Sequence, residues 1–69
     1  MTIYVERFSI HKHYNNSSDY EWQVVDHEKM KVLCRFVSSG EYKDIELKKL
    51  AEKVASYVDE CVSNGEVSL

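Results

Sequence analysis

Only one stretch of this chain has the pattern needed to cover a sheet. From Leu47, apolar residues recur at Leu50, Ala51, Val54, Ala55, Val58, Cys61 and Val62. Steps of three and four place them on one stripe of a helix. Upstream, the sequence reads as strands, and side chains alternate across the two faces of a strand. In "MKVLCRFV", residues 30–37, Met30, Val32, Cys34 and Phe36 form a wholly apolar face. Lys31, Leu33, Arg35 and Val37 form the other, which is half apolar. One helix covers one face, so the second face needs another occupant.

The remaining strands follow from composition and turns. "TIYVERFSI" is rich in β-branched and aromatic residues and opens a first strand over about residues 2–12. Its alternation changes phase, because Ile3 and Val5 share one parity while Phe8 and Ile10 share the other. A bulge near Glu6 or Arg7, or burial of both faces, accounts for the change. "YNNSSD" is a polar turn cluster. "YEWQVVD", residues 20–26, is the second strand, with Tyr20, Trp22 and Val24 on one face. "DHEK" turns into the third strand, residues 30–37. Ser38 and Glu41 have the spacing of a capping box, with Asp44 a competing cap, so a helix is expected over about 41–63. Asn64 and Gly65 end it, leaving a short tail, 64–69.

Short connections favour antiparallel neighbours. The expected fold is therefore a single α+β domain. It is a three-stranded antiparallel β-meander with strand two central, followed by one C-terminal amphipathic helix packed on one face (β-β-β-α). The expected core is Trp22, Val24, Val32, Cys34 and Phe36, with part of strand one. The opposite face is expected to carry Val25, Leu33 and Val37, with Ile3 and Val5, interleaved with Glu21, Gln23, Lys31 and Arg35.

Sixty-nine residues bury only about 60% of the surface that the unfolded chain exposes. A contiguous apolar patch on so small a domain points to an interface. Val25, Leu33, Arg35, Val37, Lys31 and Gln23 are the expected contact residues. A homodimer is the simplest partner arrangement, since closed twofold pairing is the commonest oligomer.

Other chemistry is sparse. The chain has no phosphate-cradling glycine loop, nucleophile elbow or metalloprotease motif, and no enzyme activity or cofactor is expected. His11 and His13 share a side if strand one reaches them, but zinc sites use three or four ligands and only His27 remains. Cys34 and Cys61 occupy apolar positions, which suits buried free thiols better than a disulfide framework. The first twelve residues lack a signal-peptide pattern, and no window has the roughly 18 apolar residues of a membrane span. The expected setting is the cytoplasm, without membrane contact.

The net charge is −3. Residues 1–40 carry five charges of each sign, so the acidic excess lies in residues 41–69, with four basic and seven acidic. This balance argues against non-specific DNA binding. Tyr4, Tyr14, Tyr20 and Tyr42 lie outside the clearest core positions and suit a binding surface. With Arg7, Lys12, Lys31 and Arg35 they support a second reading, a small nucleic-acid-binding module using the sheet face.

"EWQVVDHEKMKVLCRF" followed by "ELKKLAEKVASYVDE", about residues 20–62, resembles small orphan phage and prophage proteins of β-β-β-α plan. The resemblance implies a host-directed inhibitor, anti-CRISPR-like, or an adaptor, acting by surface occlusion on a host protein or complex. Both lines lead to a non-catalytic protein–protein interaction module acting as a small homodimer.

Overall fold

The computed structural model describes residues 6–16 and 18–69. Expectations for Ile3, Tyr4 and Val5 lie outside the described residues. Strands β1 (Phe8–Tyr14), β2 (Tyr20–Asp26) and β3 (Lys31–Val37) precede one helix, α1 (Asp44–Ser63). The strands form an antiparallel sheet in the order β1-β2-β3, so the meander has its second strand at the centre. The fold is the expected β-β-β-α arrangement.

Phe8, Ile10 and Lys12 pair with Asp26, Val24 and Trp22. Across β2, Trp22 and Val24 pair with Phe36 and Cys34. Paired residues point to the same side of an antiparallel sheet, and this side receives the helix. Val24, Ala51 and Ala55 are buried at its centre, with Ile10, Trp22, Cys34, Phe36 and Val54 packed around them. Alanine at 51 and 55 keeps the helix close to the sheet. Phe8, Leu47 and Cys61 are also buried. Both cysteines are free thiols.

Four local expectations are corrected. Glu6 and Arg7 lie outside any strand, and β1 starts at Phe8 and runs through Tyr14, past the expected end at residue 12; the expectation for residues 2–5 lies outside the described residues. Arg7 is drawn to Asp26 instead, donating from Nε to Oδ1 at 3.0 Å and from Nη2 to Oδ2 at 3.1 Å. Met30 is a turn residue with φ of 55°, exposed and outside the core face.

The helix begins at Asp44, not near 41. Ser39 and Gly40 both have left-handed backbone, φ 51° and 72°, which a right-handed helix excludes. Ser38 therefore does not cap the helix. Its hydroxyl accepts the Tyr20 N–H at 3.3 Å, and its carbonyl accepts the N–H groups of Glu41 and Tyr42. At the other end Asn64 caps the helix and Gly65 follows with φ of 74°, as the sequence indicates. Gly65 N–H bonds to the Val62 carbonyl and Glu66 N–H to the Cys61 carbonyl. These two bonds satisfy carbonyls that the helix end leaves open.

The fourth correction is a β-bulge. The β2–β3 register passes from Val24↔Cys34 to Val25↔Val32, so Leu33 is an extra residue. An unbroken strand would set Val32 inward, opposite Asp26. The bulge sets Lys31 there instead, which keeps an apolar side chain out of the row of the buried Asp26 carboxylate. Val32 accordingly leaves the core and joins Val25 on the open face, 39% exposed. Lys31, expected on that face, moves to the helix side.

Candidate interaction surface

The helix-free face is built in rows across the sheet. Ser9, Val25 and Val32 form one row, and His11, Gln23 and Arg35 the next. His13, Glu21 and Val37 form the third. Gln23, Val25, Arg35 and Val37 therefore stand together as the sequence indicates, Val32 joins them, and Leu33 is the extra bulge residue beside it.

Glu21 lies on the central strand of this face and is only 7% exposed, although α1 packs on the other side. Gln23 Nε2 donates to Glu21 Oε2 at 2.9 Å, and Arg35 Nε lies 3.0 Å from the same oxygen. The Gln23 hydrogen bond holds the Glu21 carboxyl below its ordinary range, helped by Asn15 and by the charges of Arg35 and His13, against the opposing effect of burial. The polar groups at the centre thus satisfy one another. The apolar residues beside them keep contact with water: Val32, Leu33 at 41% exposed and Val37 at 45%.

The apolar surface continues around the β3 edge. The helix packs chiefly over β1 and β2, so β3 overhangs it. A shallow groove of about 370 Å³ follows the overhang, lined by Arg35, Phe36, Val37, Tyr42, Leu47 and Leu50. Val37 and Arg35 belong to both the open face and this groove. Tyr42 and Leu50 are exposed within it. The sequence pattern missed the groove because Leu50 belongs to the same apolar stripe as buried Leu47. The two differ in which edge of the sheet they meet.

The cations proposed for nucleic-acid contact do not share a face. Arg7 is engaged by Asp26, lies 3.3 Å from Glu28 and donates to the Leu69 carbonyl at 2.9 Å. Arg35 is held by Glu21 on the open side. Lys12 contacts Asp44 on the helix side, at 3.1 Å, and Lys31 lies opposite Asp26. Phosphate binding needs several free cations on one track, and these four are separated and mostly paired.

Two further arrangements bear on chemistry. His11 and His13 do share the open face, but among the described residues no group of three His, Cys, Asp or Glu could hold a metal ion. The Ser9 hydroxyl is hydrogen-bonded to His27 Nε2, a pairing that the sequence did not suggest. Acyl transfer also needs a group orienting the histidine and N–H donors for the oxyanion. Among the described residues no hydrogen bond reaches the other ring nitrogen of His27. No helix of the described residues is long and apolar enough to cross a membrane.

No protein-family model, curated protein or solved structure matches this chain. The surface therefore has to be read from its own chemistry.

Proposed function

We propose that this protein is a non-catalytic protein-binding module whose contact surface wraps the β3 edge, and that it pairs with a second copy of itself. The observation that carries this reading is that Val37 and Arg35 belong both to the open face and to the groove containing Phe36, Tyr42 and Leu50. On the open face the Gln23–Arg35 row stands between Val37 and the apolar pair Val25 and Val32, and Glu21 ties its head groups down. Fully burying a Val or Leu side chain is worth on the order of 1.5–3 kcal/mol. Covering Val32, Leu33 and Val37 together is a large gain for a domain whose total stability is about 5–15 kcal/mol.

The proposed mode is occlusion of a partner's surface, the mode of the host-directed phage inhibitors that the sequence resembles. The self-neutralised Glu21–Arg35–Gln23 centre supports a protein partner over a phosphate backbone, because it leaves little unmatched positive charge.

Native mass by light scattering over a range of concentrations, with reductant present, tests the self-pairing. The expected result is a concentration-dependent dimer for the natural chain and a monomer for Leu33→Asp and Val37→Asp, all with the same far-ultraviolet circular dichroism. A natural chain that stays monomeric at every concentration overturns self-pairing. Association unaltered in both variants overturns the placement of the surface.

A further inference from the structure

Lys12 extends from β1 on the helix side, paired with Trp22 across the sheet. Its ammonium is ringed by aromatic faces. Nζ lies 4.4 Å from the ring centre of Tyr20, 5.1 Å from that of Tyr14 and 5.8 Å from that of Trp22. Asp44 Oδ2 stands 3.1 Å away on the first turn of α1. Trp22 fixes that carboxylate by donating from Nε1 to Oδ1 at 2.7 Å. The two tyrosine rings are 6.3 Å apart and tilted by 58°, so they are two walls of a corner and not a stack.

An ordinary fastening between a strand and a helix needs one acid and one base, and an exposed pair of that kind contributes little. Here three rings surround the same cation. Ring faces are electron-rich and attract positive charge without needing N–H donors, which is why aromatic cages recognise methylated and quaternary ammonium groups. The corner is also accessible: Tyr14 is well exposed, and the Lys12 side chain keeps a quarter of its surface in water. Trp22 alone of the three rings also packs against the buried core of Val24, Ala51 and Ala55.

We propose that Tyr14, Tyr20, Trp22 and Asp44 form a binding site for an organic ammonium ion, and that Lys12 is its resident plug. The ligand class is a quaternary or methylated ammonium, supplied by a free small molecule such as choline or by a trimethyllysine side chain. A foreign cation enters by displacing Lys12, while Lys48 keeps its own place 5.8 Å from the Trp22 ring centre, so the natural chain binds it weakly and a chain without the Lys12 ammonium binds it more tightly.

Trp22 is the only tryptophan, so its fluorescence reports occupancy. The full chain and its Lys12→Thr and Lys12→Gln variants are titrated with choline and with a trimethyllysine peptide, with sodium chloride of equal ionic strength as the control. The expected result is a saturable change in the Lys12 variants, at least tenfold tighter than in the natural chain, that is lost when Tyr20→Ala is added. The ligand that binds more tightly identifies the source. A folded Lys12 variant that responds only as it does to salt overturns the proposal, as does an affinity unchanged by Tyr20→Ala. If neither Lys12 variant folds, the ammonium is a structural strut and the proposal fails.

Discussion

Arg7 and Asp26 meet in a two-pronged pair, Nε to Oδ1 at 3.0 Å and Nη2 to Oδ2 at 3.1 Å. Asp26 also accepts the backbone N–H groups of Glu28 and Lys29. One carboxylate thereby joins the segment before β1 to the turn after β2. Arg7 chiefly holds the Asp26 carboxyl below its ordinary value of 3.8, with the two backbone bonds assisting and burial opposing.

A carboxyl depressed in the folded state contributes stability that is complete above its unfolded value. That contribution is lost as pH falls through the lower folded value. Asp44 and Glu21 are shifted in the same direction, Asp44 mainly by the Trp22 hydrogen bond and then by Lys12, so their contributions fade with it. The fold should therefore weaken below about pH 4. Urea midpoints at pH 7 and pH 3 check this. Asp26→Asn should be weaker than the natural chain at pH 7 and lose less between the two pH values. An equal loss in both chains would remove Asp26 from the account.

Leu47 and Leu50 share an apolar stripe, but only Leu47 is buried. Leu47→Ala should cost about 3 kcal/mol, the usual scale for emptying a leucine site. Leu50→Ala should cost well under about 1 kcal/mol in the monomer. Urea titrations at low protein concentration separate the two, and similar costs would mean that the helix is rotated from the position described.

Val32 departs from what simple alternation implies for β3, whereas Val24 on β2 keeps to it. Val24→Thr buries a hydroxyl at the centre of the core and should cost about 2 kcal/mol. Val32→Thr lies on the open face and should cost less than about 0.5 kcal/mol. Thermal unfolding resolves the difference, since 1 kcal/mol moves the midpoint of a domain this size by roughly 4–8 °C. A larger shift for Val32→Thr than for Val24→Thr would contradict the bulge.

Met30 holds a left-handed backbone with its side chain in water. That conformation costs an ordinary residue roughly 1–2 kcal/mol, whereas glycine loses only about 0.5–1 kcal/mol of extra chain entropy. Met30→Gly should thus stabilise the fold by on the order of 0.5 kcal/mol. A lower unfolding temperature for this variant would show that the Met30 side chain makes contacts that matter.

The strand and helix pattern was legible because each element buries one face. Trp22, Val24, Cys34 and Phe36 alternate as a covered strand requires, and Leu47, Ala51 and Ala55 recur as a covered helix requires. The misreadings occur where one polar group overrides the pattern. Asp26 is 1% exposed, and the need to satisfy it recruits Arg7 away from the strand and accompanies the slip that exchanges Val32 for Lys31. Ser38 and Glu41 have capping spacing, but the backbone of Ser39 and Gly40 turns the wrong way between them. The candidate surface was half legible: Gln23, Val25, Arg35 and Val37 follow from parity, while the bulge at Leu33 does not and the groove beside Tyr42 depends on how far the helix is set toward β1. The rings and the carboxylate about Lys12 had no signal in spacing, because β1 and β2 supply the aromatics and α1 supplies Asp44.

The extra residue at Leu33 also governs what β3 can do beyond its own molecule. "VLCRFV" is short, apolar and rich in β-branched side chains, the composition that stacks into cross-β fibrils when many copies align in register. Such stacking needs a flat, evenly spaced row of backbone donors and acceptors. A bulge breaks that spacing and twists the strand locally. An edge interrupted in this way can meet one partner of matching shape, but it is a poor template for an endless series of copies.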